Sequence, residues 1–186
     1  MEQKINEIRE ILQAADLSEL PAFISTYEKD LRTGVGVLVA KARKKIQEYE
    51  KEIARTEKMK EFEKKYSSFS YICGIDEVGR GPLAGPVVAG AVILKKDCDI
   101  LYLNDSKQLS EKKREELYDV IMEKAVSTGL GLVSPERIDE INILNATYEA
   151  MRQAIGELKQ APDLLLNDAV TIPQVTIKQV PIIKGD

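Results

Sequence analysis

No histidine occurs among the 186 residues, and this absence excludes more chemistry than any other feature of the composition. Without an imidazole there is no Ser-His-Asp triad, no HExxH zinc site and no histidine general base. Carboxylates, Lys, Tyr, Ser and two cysteines are left to carry any reaction, and metals that prefer hard oxygen ligands remain available. The cysteines, Cys73 and Cys98, stand far apart and outside any CxxC pattern. A disulfide framework is therefore not expected; the reading is two small core residues in a reducing compartment. Long apolar runs are also missing. The chain opens Met1, Glu2, Gln3, Lys4, and its longest apolar stretch, Leu83 to Leu94, is interrupted by Gly and Pro, so a cytoplasmic, unanchored protein with no membrane contact is expected. Nucleotide cradles are lacking too. Gly79, Gly81 and Gly85 are spaced GxGxxxG, Pro82 disturbs the helix opening a dinucleotide turn needs, and no GK[ST] follows, so no organic cofactor is expected.

What is present is a composition of 44% hydrophobic and 31% charged residues, enough for a sizeable core in a folded domain with room for an appendage. The balance of 27 basic against 31 acidic residues gives a net charge of −4, which by itself announces neither a nucleic-acid nor a membrane binder. Local asymmetry is larger: Lys41 to Tyr66 holds 10 basic and 6 acidic residues. Two readings stand for that stretch, a solvated helix face laced with i,i+4 charge pairs and a helix lying along a phosphate backbone.

Apolar residues recur at helical spacing through the first third of the chain: Ile5, Ile8, Ile11, Leu12 and Ala15, then Leu20, Phe23, Ile24 and Tyr27. Asp16 or Ser18 is the expected cap of the second helix. Arg32 to Gly36 reads as a turn on its two glycines, and Val37 to Tyr66 as a long amphipathic helix. The texture changes at Ser67 and Ser68, which divides a helical extension, 1–68, from a second domain, 69–186. Tyr71 to Asp76 and Val87 to Leu94 read as buried strands joined by Pro82 to Pro86. Ser110 is the expected N-cap of a helix running toward Gly129 with Leu117, Val120, Ile121 and Met122 inward. Leu130 to Val133 follows as a strand, then a helix from Ser134-Pro135 to Gly156, then strands at Leu164 to Leu166 and Val180 to Ile183. Strands followed by helices of these lengths imply an α/β fold, a mixed sheet with helices packed on it.

Chemistry concentrates in Gly74, Ile75, Asp76, Glu77, Val78, Gly79, Arg80 and Gly81. Two adjacent carboxylates at the end of an apolar strand repel each other and are costly to bury, so exposure or a bound metal is required. Neighbours on a regular strand face opposite ways, and both acids reach one site only where the strand ends, twists or bulges. A solvated turn and a metal site both remain open. The glycines flanking Arg80 would let main-chain groups approach a sugar or phosphate, with the guanidinium as a phosphate partner; a tight structural turn is the alternative.

The run GIDEVGRGPLAGPVVAGAV, Gly74 to Val92, resembles the signature of bacterial ribonuclease HII. Downstream, Asn104, Asp105, Ser106, Lys107, Gln108, Leu109 and Ser110 are similar to the DSK-x-LS element of that family, and INILNATYEAM, Ile141 to Met151, to its next helix. Leu165 to Asp168 is similar to the strand carrying the third acid, and Lys184, Gly185 and Asp186 to the KGD element. The resemblance covers roughly residues 70–186, over long and ordered motifs.

The resemblance implies a ribonuclease H-like α/β fold, a mixed sheet flanked by helices, preceded here by an all-α extension. It implies catalytic and metal-binding roles for Asp76, Glu77, Asp168 and Asp186, with Asp76 as the bridging ligand and Mn²⁺ or Mg²⁺ as cofactor. Four carboxylates suit a pair of divalent cations about 3.5–4 Å apart, which activate a water and stabilise a leaving oxygen. Gly79, Arg80 and Gly81 would read the ribose 2′-hydroxyl, the group that separates RNA from DNA; Asn104, Ser106 and Lys107 would contact phosphate. The expected partner is an RNA–DNA hybrid or a DNA duplex containing ribonucleotides, incised 5′ to the ribonucleotide. Family members continue past the KGD element into a Ser- and Ala-rich helix, further helices and a tyrosine that packs at the junction nucleotide. The chain thus reads as truncated there, with apolar sheet surface exposed. An inactive nucleic-acid-binding fragment of the same enzyme is the alternative.

Overall fold

A computed structural model describes residues 3–81 and 85–182. The chain forms two compact units, Met1–Met59 and Lys60–Asp186.

The first unit is helical. Helix α1 (Ile5–Ala14) buries Ile8 and Leu12, α2 (Leu20–Tyr27) starts on Pro21 and buries Leu20 and Phe23, and α3 (Thr33–Met59) adds Val35, Leu38, Val39 and Ala42 to one cluster. Asp16 does open an ordered segment, but a 3-10 turn (Leu17–Glu19) precedes α2, with the Asp16 amide donating to the Glu19 carboxylate at 2.8 Å. The turn expected over Arg32 to Gly36 is shorter than its glycines suggested, because α3 begins at Thr33. Asp30 ends the loop instead: its carboxylate accepts from the Arg32 backbone amide at 2.9 Å and from both Nε and Nη2 of the guanidinium. Gly34 serves close packing, since a Cβ there would lie 3.0 Å from Ile5 Cδ1.

The second unit begins with the short α4 (Glu61–Lys65) and is built on five strands in the order β3-β2-β1-β4-β5. Strands β1 (Ile72–Val78), β2 (Val87–Leu94) and β3 (Ala125–Val133) form an antiparallel meander; β4 (Leu164–Asp168) and β5 (Lys178–Ile182) extend it in parallel. Alternate residues Cys73, Ile75, Val87, Ala89, Ala91, Ile93, Val133 and Leu165 face α6 (Pro135–Gly156), which closes the core with Ala146, Ala150, Met151 and Ala154. On the opposite face Val78, Leu130 and Leu132 are exposed. No described helix is long and apolar enough to cross a membrane.

Both serine caps stand where the sequence put them. Ser110 Oγ accepts from the Lys113 amide to start α5 (Glu111–Lys124), and Ser134 Oγ from the Arg137 amide to start α6. Three expectations need correction. Helix α5 stops at Lys124, and β3 follows at once. Gly129 and Gly131 are strand residues, because α6 lies so close that a Cβ on them would sit 2.1 Å from the Ala154 carbonyl oxygen and 1.9 Å from that of Ala150. The inward face of α5 is thin: Leu117 is buried, whereas Met122 is 47% exposed. Helix α6 also breaks at Asn142, with φ 66° and ψ 162°. There the Asn142 side chain accepts from the Asn145 amide at 3.1 Å and caps the second half of the helix.

Two outcomes follow. Gly131→Ala forces the helix off the sheet and lowers stability by about 1–3 kcal/mol in urea unfolding, while Gly90→Ala, where nothing lies within 4 Å of the added Cβ, stays close to the native midpoint. The Arg32 hydrogen bonds lower the Asp30 carboxyl from 3.8 to about 2. The stabilisation from this pair is therefore present above the unfolded pKa near 4 and lost as pH falls toward 2. The gap in unfolding midpoint between the native chain and Asp30→Asn is expected to be open at pH 6 and to close over pH 4 to 2.

Candidate active site

Strand β1 is the centre of the sheet, with β2 antiparallel on one side and β4 parallel on the other. At the start of this parallel pair, the Asp163 carboxylate accepts from the Ser70 and Tyr71 amides at 3.1 and 3.0 Å, and the Asp163 amide donates to the Tyr71 carbonyl at 2.8 Å. That clasp sets the register: Ile72 beside Leu164, Gly74 beside Leu166, Ile75 beside Asn167. The paired register ends there, and the alternation of the two strands puts Asp76 and Asp168 on the face shared by Gly74 and Leu166. Open α/β sheets gather ligands at such carboxyl ends.

Strand β1 runs on through Glu77 to Val78, paired with Ala89 and Val88, two residues beyond the expected end at Asp76. The acid pair therefore lies within regular strand and its members face opposite ways. Asp76 is exposed on the open face, and its Oδ1 accepts from the Glu77 amide at 2.7 Å. Glu77 lies on the α6 side with Ile75 and Ala89, its side chain 13% exposed, and its Oε1 pairs with Arg80 Nη1 at 3.2 Å. Strand alternation thus leaves Asp76 and Asp168 on one face and Glu77 on the other. Among the described residues no three acids or cysteines group closely enough to hold a metal; Asp186, with Lys184 and Gly185, lies outside the described residues, as do Pro82 to Ala84 of the expected connection. The two adjacent carboxylates on the open face do suit a divalent cation, since they offer hard oxygen donors whose mutual repulsion a cation relieves.

The turn after β1 depends on Gly79. Its φ is +90°, and a Cβ would fall 2.3 Å from the Pro86 carbonyl oxygen, so only glycine fits. Gly81 has no described atom within 4 Å of an added Cβ. Asn104, Ser106 and Lys107 surround a 3-10 turn (Ser106–Gln108) fixed by Asp105, which accepts from the Lys107 amide, and by Arg114, which donates to the Ser106 and Leu109 carbonyls. On α3 the basic stretch shows the ion pairs Lys44–Glu48 and Arg55–Glu52 of a solvated face.

Neither the Asp163 clasp nor the buried amides behind Asp168 were read from the sequence. Asn167, 1% exposed, donates to the Gln179 side-chain oxygen at 2.8 Å and to the Val170 carbonyl at 3.2 Å. Gln179 in turn accepts from the Ile172 amide and donates to the Ile172 and Val175 carbonyls. Asn167 Oδ1 has no partner among the described residues. Cys73 is buried and burial pushes its thiol up to about 12, which makes it an inert core residue; Cys98 is half-buried, and both are free.

The five-stranded mixed sheet in the order β3-β2-β1-β4-β5, with α6 packed on one face, is a ribonuclease H-like fold. The chain belongs to the ribonuclease HII family: the model of the ribonuclease HII N-terminal domain matches residues 4–67, and that of ribonuclease HII matches residues 73–185. The chain is 59% identical to a ribonuclease HII of Lachnoclostridium phytofermentans over 100% of its own length and 73% of the relative's. It is 49% identical to that of Clostridioides difficile at the same coverage of both. Among solved structures, the ribonuclease H2 of Pyrococcus horikoshii matches at 27% identity over 56% of this chain and 51% of that one, with a TM-score of 0.45.

Gln179→Leu leaves the Ile172 amide and two carbonyls without their partner. The expected result is a loss of about 2 kcal/mol or more in urea unfolding, with faster amide hydrogen exchange at Ile172.

Proposed function

We propose that the chain hydrolyses the RNA strand of RNA–DNA hybrids and incises duplex DNA on the 5′ side of an embedded ribonucleotide. What supports this reading is the parallel pairing of β1 with β4 up to Ile75 and Asn167, beyond which strand alternation gives Asp76 and Asp168 one face. Asp76, Glu77, Asp168 and Asp186 would hold the divalent cations, Mg²⁺ or Mn²⁺. Two such ions supply an activated water and charge stabilisation for the leaving 3′ oxygen. The chain's own residues bind and orient the substrate. The main-chain groups of Gly79, Arg80 and Gly81 would meet the ribose 2′-hydroxyl, which is what distinguishes a ribonucleotide from its DNA neighbours. Arg80, 41% exposed, supplies a planar guanidinium for the adjoining phosphate. Asn104, Ser106 and Lys107 offer amide, hydroxyl and ammonium groups to the backbone further along. Residues 1–68 act as a helical extension to the catalytic part, 69–186.

The test is incision of an end-labelled DNA duplex carrying one ribonucleotide, in Mg²⁺ or Mn²⁺. The native chain is expected to give a single product cut 5′ to the ribonucleotide, and Asp76→Asn to reduce the rate by about two orders of magnitude or more. A folded native chain that binds the duplex without cutting it would instead make these residues a binding fragment.

A further inference from the structure

Helix α3 carries a row of lysines away from its buried side. Val35, Leu38, Val39 and Ala42 mark the buried side, while Lys44, Gln47, Lys51, Ala54 and Lys58 are all exposed. These five follow one another at steps of three and four residues, so they share one stripe of the helix. The lysines stand seven residues apart, about 10.5 Å per step and about 21 Å in all. A neutral amide and a methyl group separate them, and no acid lies on the stripe.

Ion pairing accounts for only part of this charge. Lys44 has Glu48 one turn on at 3.7 Å, and Glu52 is taken by Arg55 at 2.7 Å. Among the described residues neither Lys51 nor Lys58 has an acidic partner. One turn on from Lys51 stands Arg55, a like charge at the spacing where a helix in plain solvent gains from an acid.

We infer that Lys44, Lys51 and Lys58 form a phosphate-binding row by which the helical unit grips a nucleic-acid duplex without regard to base or ribose. The inference rests on the duplex substrate proposed above and assigns part of its binding to residues outside the catalytic part. A duplex offers a dense, regular line of phosphates, about 3.4 Å apart along the axis on each strand. Ammonium groups on long flexible stems suit such a line, since they meet phosphates as point charges and impose no fixed geometry. A lipid surface fits the row poorly. A helix that lies on a membrane needs a free apolar face beside its lysines, and the apolar side of α3 is taken up by Ile8, Leu12, Leu20 and Phe23 of α1 and α2.

The experiment is fluorescence anisotropy of a labelled DNA duplex with the full chain across a range of salt, in EDTA so that nothing is cut. Two duplexes are compared, one plain and one carrying a single ribonucleotide. Lys51→Gln with Lys58→Gln is expected to weaken both alike and to flatten the slope of log K against log salt by about 2, close to one per lysine. Lys51→Arg with Lys58→Arg is expected to keep the native slope. So is Lys4→Gln with Lys29→Gln, which removes the same charge from exposed lysines elsewhere in the helical unit. No duplex binding by the native chain, or an unchanged slope in the Lys51 and Lys58 glutamine variant, would overturn the row. Equal flattening by the Lys4 and Lys29 variant, or a loss confined to the ribonucleotide duplex, would also overturn it. Binding to anionic phospholipid vesicles that depends on Lys51 and Lys58, with duplex binding unaffected, would reassign the row to a lipid surface. No step here requires a metal or cleavage, so the row can fail while incision stands, and incision can fail while the row stands.

Discussion

The parallel pairing of β1 with β4 decides where everything else in the second unit can go. Its register is set at the strand starts by a single carboxylate, Asp163, which accepts from two consecutive amides across the pair. A slip of one residue would turn Asp168 toward α6 and bury a charge, and would take Leu165 out of its fit against the α6 core although β4 is buried on both faces from Leu164 to Asn167. The face that Asp168 takes is thus fixed by packing on the other side of the sheet. The site inherits its geometry from the core.

The same sheet explains how closely helix α6 can approach. Two glycines on β3 let the carbonyls of Ala150 and Ala154 come to distances that no side chain permits. The small residues of α6, Ala146, Ala150 and Ala154, complete the fit from the helix side. Met151, fully buried between them, fills the remaining irregular space, as a flexible thioether can. This tight layer also covers the side of β1 on which Glu77 lies, so the pair it makes with Arg80 is partly screened from water while Asp76 is not.

Much of this was legible before the structure. The strand Val87–Leu94 and the caps Ser110 and Ser134 were found at their residues because each has a local cause: a short apolar run bounded by proline, or a serine followed by helix formers. Asp76 stood out as one of two adjacent acids at a strand end, whereas Asp168 was marked only by the resemblance of its strand to that of the ribonuclease HII family. Other features depend on partners far away in the chain and leave no local trace. Gly129 looked like a helix stop and, like Gly131, is a strand residue that makes room for a helix arriving later. Gly34 looked like a turn and is a contact for Ile5. Glu77 looked like a terminus, yet hydrogen bonds to β2 carry the strand past it. The amide pair of Asn167 and Gln179 has no sequence signature, since buried amides at such a spacing are no commoner in sites than elsewhere. The positive φ at Asn142 was equally hidden, because an asparagine inside a helical pattern is usually just that.

The strand order has one consequence in time. Strands β1 and β2 close across a short connection, β3 returns to β2 only after α5, and β4 must come back past α5, β3 and α6 to reach β1. Contacts between distant segments bear the largest loop-closure cost and tend to form late. A chain that has folded only its local meander therefore carries Asp76 without Asp168, and half of a carboxylate pair is a poor trap for a cation. The strand ends that carry Asp76 and Asp168 come together only when the long-range pairing is made.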